Sequence, residues 1–235
     1  MVSSIQNKKE IVMNKFMKKI IWLIILTPGI YLAFIWNNLP EKVAMHFDLK
    51  GNIDRYGSKT ELLVLTVILM LLAAAIYFFL PLVYKIDPKK YAPENKNRLQ
   101  RMAFVISVFM SALLCLLIYS SINGNLKLST NFIFAGVGLL FCFIGNYLHN
   151  IKPNYFAGFR LPWTLESADN WRRTHLLGGK LFFLGGFLIA IICLFTPAII
   201  AAVIFFTITA IITIIPCIYS YRLYKKQKER ATVSS

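Results

Sequence analysis

The sequence predicts an all-α membrane protein. The expected form is a six-helix transmembrane bundle with both termini in the cytoplasm, a short extracellular hairpin-like loop and an interfacial cytoplasmic helix. Three observations carry that expectation. Of 235 residues, 57% are hydrophobic and 15% charged, whereas a soluble domain carries about 45–50% and about 25%. The apolar residues gather in blocks long enough to cross hydrocarbon, which takes about 20 residues of helix. Lys and Arg alternate between dense and sparse from one connecting segment to the next, which gives the blocks a direction.

The first block runs from about Ile20 to Trp36, behind a basic tail. It is longer than the roughly 7–15 apolar residues of a signal peptide and lacks a small-residue cleavage site, so it reads as a retained span. Thr27-Pro28-Gly29 marks a kink within it. The next blocks run from about Leu62 to Tyr84, Met102 to Ile122, Asn131 to Leu148, Leu177 to Phe195, and Ala198 to Tyr221. In lipid the backbone must satisfy its own hydrogen bonds, so such blocks are helices. From Ala198 to Tyr219 the last holds nine Ile, one Val and two Phe. Together these favour insertion by about 4–7 kcal/mol. Lys180, near the start of the fifth block, reaches the interface by snorkelling.

The expected organisation follows. Residues 1–19 are a basic cytoplasmic tail. Residues 20–84 form an N-terminal module, with spans one and two around an extracellular loop, 37–61. Residues 85–101 are a basic cytoplasmic linker. Residues 102–221 form a second module, with spans three to six around a cytoplasmic loop, 149–177, and residues 222–235 are a second basic tail. Only Lys42, Lys50, Arg55, Lys59 and Lys127 fall on the outer side of this arrangement. All other Lys and Arg fall on the inner side, as the positive-inside rule requires.

The same pattern excludes other classes. A net charge of +16 suggests nucleic acid, but a nucleic-acid binder collects its cations on one soluble face, so no direct nucleic-acid partner is expected. Cys115, Cys142, Cys193 and Cys217 lie inside apolar blocks without a Cys-x-x-Cys spacing. They read as small buried hydrophobes rather than a disulfide or zinc framework. No Asp, Glu, Lys or Arg occupies the middle of a span, where ion-coupled transporters keep ionisable groups. No intramembrane nucleophile with its base, paired Asp or His-Glu-x-x-His site is present. The chain is therefore expected to be no enzyme and to need no cofactor. Gly138 and Gly145 lie seven apart, as do the doublets Gly178-Gly179 and Gly185-Gly186, a spacing that suits close helix packing.

Two loops carry information. In the outer one, Val43, Met45, Phe47 and Leu49 alternate with polar residues, which predicts a short strand. Gly51-Asn52 then turns the chain, and Ile53 to Tyr56 returns as a hairpin. His46 and Asp48 share one strand face and Asp54 can join them, too few ligands to predict a metal site. In the inner loop, Thr164 is a candidate helix N-cap. Glu166 and Asp169 follow early, and Arg172, Arg173 and His175 late, an order suited to the helix dipole. Ala168, Trp171 and His175 fall on one face. This predicts a short interfacial helix feeding span five. On composition alone, an aromatic belt with inside charges is the simpler account.

The longer pattern of the inner loop adds weight. Ile151-Lys152-Pro153-Asn154-Tyr155-Phe156, Gly158, Arg160, Pro162-Trp163-Thr164-Leu165, Trp171-Arg172, Thr174-His175 and Gly178-Gly179-Lys180 resemble the Sdp immunity protein (SdpI) family of bacterial membrane proteins. Leu39-Pro40, His46-Phe47, Gly51, Asp54-Arg55-Tyr56-Gly57 and Ser58-Lys59 resemble the domain of unknown function 1648, which often precedes it. Ala44 stands where the outer motif often has proline, and His149-Asn150 where family members often have Met-Pro.

The resemblance implies a multi-pass, receptor-like immunity protein of the bacterial cytoplasmic membrane. The founding member protects a toxin-producing cell from its own secreted peptide toxin and holds a cytoplasmic transcriptional repressor at the membrane. The implied partners are thus the lipid bilayer, a secreted peptide toxin and a cytoplasmic transcriptional repressor. Candidate partner-binding residues are Lys152, Pro153, Asn154, Tyr155, Phe156, Gly158, Arg160, Trp163, Thr164, Trp171, Arg172, Arg173 and His175. Candidate ligand-sensing residues outside are His46, Asp48, Gly51, Asp54, Tyr56 and Lys59. The competing readings are a small-solute or peptide transporter, and a membrane-bound enzyme using His175 and Asp169 on a lipid-linked substrate.

Overall fold

A computed structural model describes residues 2–89, 92–124 and 127–233, with side chains over 18–89, 94–124 and 130–230. The side chains of Lys8, Lys9, Lys15, Lys90 and Lys127, which entered the charge count, lie outside those ranges. The elements are α1 (Val2–Ile35), β1 (Lys42–Phe47), β2 (Ile53–Ser58), α2 (Lys59–Phe79), α3 (Lys96–Asn123), α4 (Lys127–Leu148), α5 (Pro162–Glu166), α6 (Ala168–Phe195) and α7 (Ala198–Val233).

Among the described residues, six helical stretches are long and apolar enough to cross a membrane: Lys18–Asn38, Lys59–Lys85, Lys96–Asn123, Thr130–Leu148, Ala168–Phe195 and Ala198–Arg230. They overlap the six blocks read from the sequence and overrun several of them. Hydropathy finds only the length of helix in lipid, while backbone hydrogen bonding continues into water wherever the side chains are polar. The outer surface is apolar, with Phe34 87% and Phe195 83% exposed, as a lipid-facing surface requires.

The contacts divide the chain into two compact units. One comprises residues 1–48, 52–78 and 103–126, the other residues 49–51, 79–102 and 127–235. In the first unit, Leu32 of α1, Leu62 of α2, and Leu114 and Ile118 of α3 form a buried cluster with Leu39 and Val43. The hairpin joins this cluster through Val43 and Met45. Ser107 Oγ donates to Ala73 O at 2.9 Å, tying α3 to α2 through a hydroxyl. Trp22 of α1 meets Tyr77 of α2 edge to face at 6.0 Å.

β1 and β2 pair antiparallel, from Lys42↔Ser58 to Phe47↔Ile53, with irregular register around His46. Gly51 takes φ +80° at the turn, in the left-handed region that favours glycine. Ser58 ends β2 and caps α2, its Oγ accepting from Glu61 N–H at 3.1 Å. Asp48 fastens the turn by accepting from Asn52 N–H at 2.8 Å and Asn52 Nδ2 at 3.0 Å.

In the second unit, α4 and α6 approach through glycine. A Cβ added at Gly138 would lie 2.6 Å from Gly186 O, and one at Gly145 would lie 2.6 Å from Gly179 O. Two pairs seven residues apart on each helix thus bring the two backbones together. The other member of each doublet faces elsewhere: Gly185 meets Ile208 and Ile212 of α7, and Gly178 meets Phe159. Ile189, Cys193 and Ala201 are buried at the α6–α7 end, with Phe134, Phe141 and Phe205 against them. Phe134 stacks on Phe205 at 4.9 Å.

The interfacial helix has a different start from the one expected. Thr164 lies inside the one-turn helix α5. Ser167 caps the long helix, accepting from Asn170 N–H at 3.2 Å. The segment from Ala168 is continuous with span five, because no glycine or proline separates Ala168 from Leu177 to stop it.

Candidate functional site

The loop between α4 and α6 is a hydrogen-bonded plug built within the second unit. Asn154, 2% exposed, organises its first turn. Its Oδ1 accepts from Phe156 N–H at 2.9 Å and Ala157 N–H at 2.7 Å, and its Nδ2 donates to Lys152 O at 2.9 Å and Ala157 O at 3.2 Å. One amide thus satisfies four main-chain groups that a loop would otherwise leave to water. Asn95, in the turn before α3, clamps the same segment: its Oδ1 accepts from Lys152 N–H at 2.9 Å and its Nδ2 donates to Lys152 O at 3.0 Å. Asp87 accepts from Tyr155 N–H at 2.8 Å. Lys89 Nζ donates to Leu165 O at 2.7 Å and lies 5.2 Å from the Tyr155 ring centroid.

A second set of contacts fixes the loop to α6. Trp171 is buried and donates from Nε1 to Ile151 O at 2.8 Å. His175 stacks on it with ring centroids 4.0 Å apart. Phe159 N–H donates to His175 Nε2 at 2.9 Å, while His175 Nδ1 faces Trp171 O at 2.8 Å. These partners assign a neutral imidazole with its proton on Nδ1. Gly158 has φ +105°, and a Cβ there would run into His175 Nε2. Thr164 Oγ1 donates to Phe159 O at 2.7 Å and accepts from Leu161 N–H at 3.0 Å. Ser220 of α7 closes the far side. Its Oγ accepts from Trp163 Nε1 at 2.9 Å and its carbonyl from Asn170 Nδ2 at 3.0 Å. The Trp163 ring also stacks on Tyr224 at 6.0 Å.

The residues singled out in the sequence therefore separate into a frame and a rim. Asn154, Thr164, Trp171 and His175 are buried and spend their polar atoms on the plug. Gly158 supplies its backbone turn, and Trp163 is half-buried against α7. Lys152, Tyr155, Phe156, Arg160, Arg172 and Arg173 are exposed. Ala168, expected on the face of Trp171 and His175, is exposed while those two are buried. Arg160 Nη1 donates to Tyr155 O at 2.9 Å, which keeps it over the turn. Arg173 pairs with Asp169 at 2.8 Å, and Arg172 approaches the same carboxylate at 3.5 Å. Lys152 and Pro153 meet Arg98, His149, Trp171 and Arg172 around a pocket of about 320 Å³. Its lining joins cationic side chains to an edge of Trp171, a combination that receives anionic and aromatic groups.

The β1–β2 hairpin is more open. His46 Nδ1 lies 2.6 Å from Asp54 Oδ1. Lys59 Nζ pairs with Glu41 at 2.7 Å and lies 5.6 Å from the Trp36 ring centroid. Tyr56 is 60% exposed. Asp48 and Gly51 belong to the turn. Among the described residues, no cluster of three His, Cys, Asp or Glu is placed to hold a metal ion.

Sequence reasoning did not single out Asp87, Asn95 or Ser220. Each acts on main chain or side chain more than 50 residues away, and local pattern carries no trace of such a pairing. Asn95 is fully buried and Asp87 partly so, a tertiary property that a basic linker does not display in its sequence.

Residues 150–220 match the model of the SdpI/YfhL protein family. Residues 23–71 match a domain of unknown function, DUF1648. The chain is similar to the immunity protein SdpI of Bacillus subtilis (strain 168), being 27% identical over 216 residues that span 89% of this chain and 97% of the relative. No solved structure matches it. With six helices among the described residues long and apolar enough to cross a membrane, a DUF1648 match over its first span and hairpin, and a similarity to the SdpI/YfhL family over its plug and last two spans, the chain is a multi-pass protein of the bacterial cytoplasmic membrane.

Proposed function

We propose that this chain is a non-enzymatic membrane immunity protein that gives resistance to a secreted antimicrobial peptide and holds a cytoplasmic transcriptional repressor at the membrane. The distribution of Lys and Arg supports a cytoplasmic plug, cytoplasmic termini and an outward hairpin. In this reading the hairpin residues His46, Asp54, Tyr56 and Lys59 meet the peptide. The rim residues Lys152, Tyr155, Phe156, Arg160, Arg172 and Arg173 meet the repressor.

The observation that carries the reading is the rigid plug with a cationic and aromatic rim. A loop serving only as a topology signal has no use for buried Asn95, Asn154 and Asn170. Burying an amide is costly unless every polar atom is paired, and each of these is anchored to main chain. Such a frame holds Arg and aromatic side chains in fixed places, which lowers the entropy lost when a partner docks. The non-enzymatic reading is supported by His175. Both its ring nitrogens face backbone partners and it is fully buried, so it has no position from which to act on a substrate.

The test replaces Arg172→Gln and Arg173→Gln together and measures survival under the peptide and recruitment of the repressor to membranes. With insertion unchanged, recruitment should fall while the wild-type chain protects a sensitive host. If neither readout changes, the rim assignment is wrong.

A further inference from the structure

Beside the partner-binding rim, with which it shares Arg172 and Arg173, a second groove opens between α6 and α7. It is lined by Arg172, Arg173, Leu176, Leu177, Lys180 and Tyr219, with a volume of about 480 Å³. Its composition changes along its length. Arg172 and Arg173 stand at one end with Tyr219, Leu176 and Leu177 form an apolar wall, and Lys180 stands below. From Leu181 to Phe195 the helix carries no charge, so Lys180 is the last cation before hydrocarbon. Seven residues separate it from Arg173, about 10 Å of helix rise. A lysine at that depth extends back toward the headgroups, and its ammonium and the two guanidinium groups then converge on one level.

The local charge is only partly compensated. Asp169, the acid beside the groove, is held by Arg173 at 2.8 Å and also accepts from Gln227 Nε2 at 3.3 Å. Arg172 reaches it only at 3.5 Å and its side chain is 75% exposed. Lys180 has no hydrogen-bond or ion-pair partner among the described residues. Arg172 and Arg173 thus share a single carboxylate while Lys180 has none, which leaves an excess of positive charge beside an apolar wall, at the point where a span enters the bilayer.

We propose that this groove binds an anionic phospholipid, with the phosphate held by Arg172 and Lys180 and an acyl chain lying along Leu176 and Leu177. Charge complementarity and the apolar wall select a lipid over a free anion: phosphate alone would leave the wall bare. Basic pockets between helices at this level receive anionic headgroups in the same way.

The experiment is native mass spectrometry of the full chain, delipidated in neutral detergent and titrated with phosphatidylglycerol or phosphatidylcholine. Phosphatidylglycerol adducts should form at several-fold lower lipid concentration. Lys180→Gln should weaken them about fivefold, and Arg172→Gln by a similar factor. Lys180→Arg should restore them, and Lys226→Gln, outside the groove, should leave them unchanged. Inorganic phosphate at matched ionic strength should not displace the adduct. Equal binding of the two lipids, no response to Lys180→Gln, or displacement by inorganic phosphate alone would each overturn the proposal. Lys180 takes no part in the rim, so loss of lipid with intact repressor recruitment separates this site from the partner site.

Discussion

At the scale of the residue, the plug depends on a few side chains that bond to main chain. Asn154 is the most connected. Asn154→Ala would leave Phe156 and Ala157 N–H without their acceptor, at a cost of about 1–3 kcal/mol for a buried unpaired group. Thermal unfolding in detergent should show a lowered midpoint, whereas Phe156→Ala, on the rim, should leave it nearly unchanged. Gly158→Ala should cost about 1–3 kcal/mol, the scale of backbone strain at positive φ. Here the new methyl also meets His175, so the same scan should fall and partner binding should weaken with it. The sequence named nearly all of these residues but did not orient them. A tryptophan beside arginines reads as an interface anchor, whereas Trp171 is buried by a bond to a carbonyl twenty positions earlier. Orientation of that kind is set by tertiary contacts and leaves no periodic signal.

At the scale of the element, helix packing was legible and helix ends were not. The seven-residue glycine spacing placed Gly138, Gly145 and the two doublets on packing faces, and the structure joins Gly138 to Gly186 and Gly145 to Gly179. It did not say which glycine of each doublet faces α4, since adjacent positions differ by about 100° around a helix. The contrast between rigid and yielding neighbours gives a test. Gly186→Ala brings a methyl against the backbone of Gly138 and Cys142, and overpacking of this kind costs about 1–3 kcal/mol. Gly29→Ala meets only the end of the Met70 side chain, which can rotate away. Of the two, only Gly186→Ala should lower the unfolding midpoint clearly. The helix starts at Lys96 and Ala168 escaped hydropathy because it responds to lipid exposure, not to helical backbone.

At the scale of the whole molecule, span number followed from composition, since no other backbone arrangement is stable in six separate hydrocarbon-length blocks. Sidedness has a direct test. In a chain with its four cysteines replaced by alanine, Leu49→Cys and Arg160→Cys should react with a membrane-impermeant thiol reagent from opposite faces of intact cells and inverted vesicles. Both positions are exposed, so lack of reaction would reflect the bilayer rather than burial. Reaction from the same face would remove the outward hairpin and the cytoplasmic plug together.

The glycine contact between α4 and α6 also bears on how far such a chain can diverge. When two helices meet through main chain, their fit is written in atoms that every amino acid shares, and only the absence of a side chain is required. The outward residues of α6, such as Phe183, Leu184, Phe187 and Leu188, need no more than oiliness and are free to drift. Selection on this pair should therefore fall on four small positions and pass over the bulk of its apolar sequence, so that descendants preserve the architecture while losing most recognisable identity.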